Sequence, residues 1–361
     1  MKKVQLLRVL DKYVNGTACV LLYPFRVLKS KKNVKKEKIV IIKLWALGDS
    51  VLTLPLIKAL KTKNREITVI ATNRNKQIYD NEFIDKILIL GKDKIKYKEY
   101  DYAIDLEPWL NFSAILSWYC SRKTIGFNGG VRSLLYDITT PFKDEYLAKN
   151  YVQMGTVLGV KKYGGLIKIK TKSKLPKEFS DKGLVGICAS VGDSMKARMW
   201  PISRFAKIAD WIIDDLDKEI VFIGATEDKD LIKKIKSNMK SKNKDKKTRS
   251  TAGKLNIMQT TKLIENLDLF ITNDTGPMHI AAAQNTKTIS LFGPSPFKRW
   301  APQGDNFINI HEQTKLWCRP CIVNNKGGKM TDCFNAEYQK CMKLIKIETV
   351  KTVIKKLLNK K

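Results

Sequence analysis

Histidine is almost missing from this chain: His279 and His311 are the only two in 361 residues. That excludes a histidine-rich metal centre and argues against a histidine-based nucleophilic triad. There is no G-x-x-x-x-G-K-[ST] loop, which argues against a Walker-type kinase or ATPase, and no G-x-G-x-x-G after an expected strand, which argues against a nicotinamide dehydrogenase. No apolar run reaches the ~20 residues that cross a bilayer. The first apolar stretch, residues 18–25, is short, contains Pro24 and is followed by no small-residue cleavage site, so a cleavable signal is not expected. The 7 cysteines are too sparse for a disulfide scaffold. Acid is scarce too, with 35 Asp+Glu against 68 Lys+Arg and a net charge of +33.

What is present is a folding composition. Hydrophobic residues make up 43% and aromatics 9%, too rich for a disordered chain, and the length suits two domains with full cores. The charge points to a polyanionic partner: nucleic acid, an anionic membrane or a phosphorylated substrate. Lysine outnumbers arginine, the charge is dispersed, and no RRM, KH or helix-turn-helix pattern occurs, so nucleic-acid binding is the least favoured of the three. Lys2, Lys3, Arg8, Lys12 and Arg26, followed by lysines at 29, 31, 32, 35, 36 and 38, flank the first apolar stretch. Residues 1–38 therefore read as a membrane-associating interfacial segment, with a solvated basic tail as the plain alternative.

After Lys38 short apolar strands alternate with amphipathic segments. Residues 39–45, 67–72, 86–90 and 102–106 are expected strands, with a helix over 51–61; 163–182 is expected to be a late strand and then a linker. The pattern then restarts. Strands are expected at 184–189, 219–224, 267–273 and 287–292, helices at 202–216, 228–239, 258–265 and 345–358, and a solvated lysine-rich helix end and loop at 233–249. Strand–helix alternation implies βαβ units with parallel sheets, so the fold class is α/β with two halves, and ligands are expected at the carboxyl ends of strands.

Three strand ends carry the chemistry. In Lys43-Leu-Trp-Ala-Leu-Gly-Asp49, Gly48 is expected to turn the chain, and Asp49 is either a helix N-cap or a base facing a cleft. In the run from Ser190 through Gly192, Ser194, Lys196 and Arg198 to Trp200-Pro201, hydroxyls and two cations can hold anionic oxygens, or the run is a basic surface loop. In Asn273-Asp274-Thr275-Gly276-Pro277-Met278-His279, a strand ends in a helix whose N-terminus suits an anion, with Gly276 allowing close approach. Cys19, Cys120 and Cys188 read as core groups. Cys318, Cys321, Cys333 and Cys341 read as a four-thiolate zinc site, or as reduced structural thiols or a redox-sensitive pair, the latter two being preferred.

Together, LGDSVLTLP, KARMWP, NDTGPMHIAAA and SLFGPSPFKRWAP, supported by NEFIDKILIL, TIGF and the late CxxC…CM segment, resemble glycosyltransferase family 9, the ADP-heptose:lipopolysaccharide heptosyltransferase family. The resemblance runs from about residue 39 to 350. It implies a GT-B architecture, two Rossmann-like domains with parallel sheets facing a central cleft: 39–175 binding acceptor and 176–344 binding nucleotide-sugar, with 345–361 a C-terminal helix. It implies an inverting transfer of a sugar, heptose by default, without metal or cofactor, from a nucleotide-sugar such as ADP-heptose to a lipopolysaccharide core or related glycolipid, at the cytoplasmic face of the inner membrane and without nucleic acid. Asp49 would be the catalytic base. Ser194, Lys196 or Arg198, and the N–H groups of Thr275 and Gly276 would hold the diphosphate. Asp274 would contact the donor sugar, Glu227 the ribose and Leu255 the adenine, and His279 would help to hold the donor. Two departures stand out: Arg198 occupies a position that is lysine in some relatives, and the N-terminal extension exceeds the family pattern. The alternative is a GT-B-like enzyme of other chemistry, such as a nucleotide-sugar 2-epimerase.

Overall fold

The computed structural model describes residues 3–27, 36–312, 314–321 and 333–359, and within these all side chains except those of 3–5 and 193–195. The side chain of Ser194 and the lysines at 2, 29, 31, 32 and 35 lie outside the described residues. The chain divides into two compact units, Met1–Leu166 and Ile167–Lys361.

The first unit opens with a helical arm: α1 (Lys3–Leu10), a π-helical turn (Asp11–Asn15), α2 (Gly16–Leu22) and a 3-10 turn (Tyr23–Val27). Six parallel strands follow: β1 (Glu37–Ile42), β2 (Arg65–Ala71), β3 (Lys86–Ile89), β4 (Tyr100–Asp105), β5 (Ser121–Phe127) and β6 (Ile138–Thr140). Helices α3 (Leu47–Leu60), α4 (Asn111–Cys120) and α5 (Leu147–Met154) connect and cover them. The strand order is β3-β2-β1-β4-β5-β6, the doubly wound Rossmann order. Ile39, Val40, Ile41 and Ile42 are all completely buried, which is why β1 carries an unbroken apolar run rather than an alternating one.

The second unit repeats the plan with β7 (Val185–Cys188), β8 (Ile220–Phe222), β9 (Thr248–Ser250), β10 (Leu269–Asn273), β11 (Thr288–Phe292) and β12 (Phe307–His311). Its helices are α6 (Ile202–Asp214), α7 (Lys229–Asn238), α8 (Lys244–Lys247), α9 (Ile257–Glu265), α10 (Gly276–Gln284), α11 (Phe297–Trp300), α12 (Lys340–Lys343) and α13 (Ile347–Asn359). The order β12-β11-β10-β7-β8-β9 is the same Rossmann order read from the other edge, again all parallel. Val350, Ile354 and Leu357 of α13 are buried in this unit's core beside Leu269 and Leu291. Cys19, Cys120 and Cys188 are buried, as expected of core groups.

Several expectations need correction. Helix α3 begins at Leu47 rather than at 51. The lysine-rich stretch over 233–249 is not all loop: α8 and the start of β9 lie in it, because Thr248 is buried against the sheet edge while its lysine neighbours face out. No strand forms between 163 and 182. There the chain is held by an amide instead of a strand partner, for Ile169 N–H donates to Gln284 Oε1 (3.0 Å) and Gln284 Nε2 donates to the Ile169 carbonyl (3.1 Å). Strands β5, β6, β9 and β12 went unforeseen; β6 and β9 are only three residues long and offer little periodicity to read.

Candidate active site

In each unit the sheet order reverses between its first and fourth strands, and the chemistry gathers at the carboxyl ends of that pair. In the first unit the pair is β1 and β4. Lys43 leaves β1 with its side chain only 1% exposed, and its Nζ lies 3.0 Å from Glu107 Oε1 and 3.9 Å from Asp49 Oδ2. The same Glu107 oxygen accepts the N–H groups of Leu44 (2.7 Å) and Trp45 (2.7 Å), so the β1–α3 loop folds around one carboxylate. Turning into α3 then requires φ +62° at Ala46, a left-handed conformation that costs a residue with a Cβ about 1 kcal/mol or more.

The turn is therefore made by Ala46, and Gly48, which was expected to make it, sits buried in the first helical turn. Asp49 is the third residue of α3, not its N-cap, which removes the capping explanation for its presence. Its side chain is 25% exposed, the most open of the carboxylates in this cluster. Asn75 fixes the helix from below, donating through Nδ2 to the Lys43 carbonyl (2.9 Å) and to Ser50 Oγ (2.9 Å).

Behind Glu107 stands a second charged group. Asp105, completely buried at the end of β4, accepts from Ser113 Oγ (2.6 Å), Tyr136 OH (2.6 Å), Arg132 Nη2 (3.0 Å) and the Glu107 N–H (2.9 Å). Burial pushes its carboxyl up, and the Arg132 guanidinium and these donors pull the other way. Gly126 makes room for this arrangement: a Cβ there would lie 2.3 Å from the Tyr136 ring. Sequence reasoning passed over Lys43, Asp105, Glu107 and Arg132. A signal existed for three of them, since Lys43, Asp105 and Glu107 close the two strands on either side of the switch point.

In the second unit the pair is β7 and β10, and a neutral amide joins them. Asn273 donates through Nδ2 to the Ala189 carbonyl (2.8 Å) and accepts the Trp200 N–H through Oδ1 (3.1 Å). Trp200 is fully buried, and its Nε1 donates to the Ile345 carbonyl (3.1 Å), which anchors the loop bearing the cations. Arg198 points inward: Nη1 donates to the Asp274 carbonyl (3.0 Å) and lies 3.6 Å from Asp274 Oδ2. Asp274 is 4% exposed and also accepts a hydrogen bond from Ser295 Oγ. Lys196 takes the other course, its side chain exposed and its carbonyl accepting from Gln339 Nε2 (2.7 Å).

Helix α10 starts after Thr275, with Pro277 in its first turn, so the N–H groups of Thr275 and Gly276 stand ahead of the helical ladder at the positive end of the dipole. Thr275 and Gly276 are half-buried. His279 lies one turn in, 3% exposed, and among the described residues its Nδ1 has no hydrogen-bond partner. Burial lowers its pKa to about 4, Asp274 opposing and Arg198 reinforcing the shift, so it is neutral at physiological pH. Glu227 is exposed, in the turn that follows β8. Leu255 is half-buried beyond β9. Thus Arg198, Asp274, Thr275, Gly276 and His279 form one cluster, whereas the side chains of Lys196 and Glu227 are exposed.

The four late cysteines carry free thiols: Cys318 accepts from Asn335 Nδ2 (3.4 Å) and Cys333 from the Gln339 N–H (3.2 Å). Burial pushes the Cys321 thiol up to about 12 and the Cys341 thiol up to about 11. Among the described residues no three His, Cys, Asp or Glu side chains form a group that could hold a metal ion. Gly293, of the FGP motif, lets this segment seat, since a Cβ there would lie 2.3 Å from Met342 Sδ.

Two units of identical Rossmann order are the plan of a GT-B α/β fold, and the comparisons agree. A family model described as glycosyltransferase family 9 (heptosyltransferase) matches residues 90–330. The chain belongs to that family and is a glycosyltransferase. It is 28% identical over 324 residues to lipooligosaccharide heptosyltransferase 2 of Campylobacter jejuni, covering 86% of this chain and 96% of that one. Among solved structures it is similar to a family 9 glycosyl transferase from Veillonella parvula, with a TM-score of 0.72 at 21% identity, covering 92% of this chain and 100% of that one. It is also similar to E. coli heptosyltransferase WaaC solved with ADP-2-deoxy-2-fluoro heptose, with a TM-score of 0.66 at 15% identity, covering 89% and 99%.

Proposed function

We propose that this enzyme transfers heptose from ADP-heptose to a glycolipid acceptor of the lipopolysaccharide core type, with inversion at the anomeric carbon and without a metal ion, as a peripheral protein at the cytoplasmic face of the inner membrane. Its polyanionic partners are then donor and lipid, not nucleic acid. The observation that carries the reading is the carboxylate of Asp49, held in the first turn of α3 by a buried lysine yet partly open to solvent.

Asp49 takes the proton from the acceptor hydroxyl as its oxygen attacks the anomeric carbon. The bond to the diphosphate breaks, and its electron pair passes to the leaving ADP. Arg198 and the N–H groups of Thr275 and Gly276 are suited to stabilise that growing charge, with the Ser194 hydroxyl and Lys196 as further donors. Asp274 orients Arg198 and meets the sugar, Glu227 meets the ribose, Leu255 the adenine, and neutral His279 supports the helix end beneath the phosphates. That a neighbouring fold was solved with an ADP-sugar analogue supports adenine as the base.

The test is Asp49→Asn. Transfer should fall by roughly 10²- to 10⁴-fold while ADP still raises the melting temperature as in the wild type. A variant retaining the wild-type rate would remove Asp49 from the chemistry. Transfer should survive EDTA treatment and give the inverted anomer by NMR, and an epimerised donor formed without acceptor would overturn the transferase reading.

A further inference from the structure

We infer that the helical arm of residues 3–27 docks the enzyme on an anionic phospholipid surface, lying flat along it rather than crossing it. The inference rests on the proposed glycolipid acceptor only in supposing that the enzyme meets its substrate at a membrane; the geometry of the arm does not depend on which sugar is moved.

One side of the arm is fixed to the first unit. Asp11 accepts the N–H groups of Asn111 (3.0 Å, Oδ2) and Phe112 (2.8 Å, Oδ1), capping α4 from outside, and its carbonyl accepts from Asn111 Nδ2 (3.0 Å). Cys19 is fully buried among Ala114, Leu135 and Tyr136. Arg26 donates to the Leu134 carbonyl (3.2 Å) and pairs with Asp137 (3.4 Å). A segment tied down at three points along its length cannot be read as an unstructured tail.

Other side chains of the arm are apolar and bare. Leu7, Leu10, Tyr13, Val14, Leu21 and Phe25 are all 44–67% exposed along the arm. An isolated exposed leucine needs no explanation, but a series of this length does. Charge identifies what covers it. Residues 1–36 contain ten lysines and arginines and a single acid, Asp11, whose carboxylate is turned inward. The Lys12 ammonium lies 5.2 Å from the Tyr13 ring, where its stem can cover apolar surface while the charge reaches outward. Apolar side chains and aromatics backed by cations, without opposing acid, suit the interface of an anionic leaflet, whereas a protein partner would need acids of its own in the same place. Among the described residues no helix is long and apolar enough to span.

The experiment is co-sedimentation of the full chain with vesicles containing roughly one-third phosphatidylglycerol in phosphatidylcholine, against vesicles of phosphatidylcholine alone. The wild type should bind the anionic vesicles at least about tenfold more tightly, and added salt should weaken the binding. The triple variant Leu10→Gln, Leu21→Gln, Phe25→Gln alters only outward side chains. It should keep its melting temperature and its rate on a water-soluble, delipidated acceptor, yet lose at least about tenfold in vesicle affinity. Equal binding to neutral vesicles, or a triple variant that binds as well as the wild type, would overturn the inference. So would a wild-type dimer that the triple variant dissolves, or tighter binding to duplex DNA than to anionic vesicles. Vesicle binding without any heptosyl transfer would instead sink the proposed function and leave the docking arm standing.

Discussion

The two switch points solve one structural problem with opposite chemistry. Each must join the first strand of its sheet to the fourth where their connections diverge. The first unit does so with charge: Lys43 against Glu107 and Asp49, and Arg132 against Asp105. The second does so with the neutral amide of Asn273, and its cation, Arg198, is set beside Asp274 instead. On the proposed roles, the first site holds a carboxylate ready to accept a proton and gains from surrounding fixed charge. The second receives a diphosphate and gains from donors that carry little negative charge of their own and from an open helix N-terminus. The same backbone plan therefore leaves one cluster rich in acid and the other poor in it.

Breaking the charged joint should have the largest effect. Lys43→Met removes the buried lysine that pairs with Glu107 and Asp49 and strands the buried Glu107 carboxylate, and uncompensated buried charge of this kind costs about 3–5 kcal/mol. Urea unfolding should show that loss as a lower midpoint at unchanged slope. A loss under about 1 kcal/mol would mean that the two N–H donors on Glu107 suffice and that the lysine is not the joint.

The division of labour explains what the sequence could disclose. Alternating strands and helices, and Asp-Thr-Gly-Pro leading into three alanines, follow from local rules of strand ends, helix starts and anion-ready N-termini, and all of these were legible. The cluster around Asp49 was legible only at Asp49 itself. Lys43, Asp105 and Arg132 are far apart in the chain and meet because β1 and β4 are neighbours, a fact of strand order rather than of local pattern. Arg132 in particular lies in a 3-10 turn with no periodicity to mark its burial. In the second unit the cations were legible as a pair but not their divergence. That depends on Trp200 being pinned to Asn273 and Ile345, contacts that span 73 and 145 residues.

A pH scan sharpens the comparison from the other side. His279 is held near pKa 4 against an ordinary 6.5, so the unfolded chain takes up its proton first as the pH falls. The contribution is intact above pH 6.5 and is lost progressively between 6.5 and 4, amounting to about 3 kcal/mol at the low end. His279→Gln should lose less stability than the wild type across that window while matching its slope above it. Parallel curves throughout would show that His279 is not buried in its neutral form.

The smallest effect should come from the neutral joint. Asn273→Leu removes one donor and one acceptor and leaves the Ala189 carbonyl and the Trp200 N–H without these partners. Neither stranded group carries a full charge, so the cost should be about 2 kcal/mol, below that of Lys43→Met. The functional cost should be the more visible one. Trp200 anchors the loop that carries Arg198, so ADP should bind more weakly to Asn273→Leu than to Lys43→Met, whose lesion lies in the other unit. Calorimetric titration of both variants with ADP decides it. If Lys43→Met lost ADP affinity as severely, the assignment of base and diphosphate to separate units would fail.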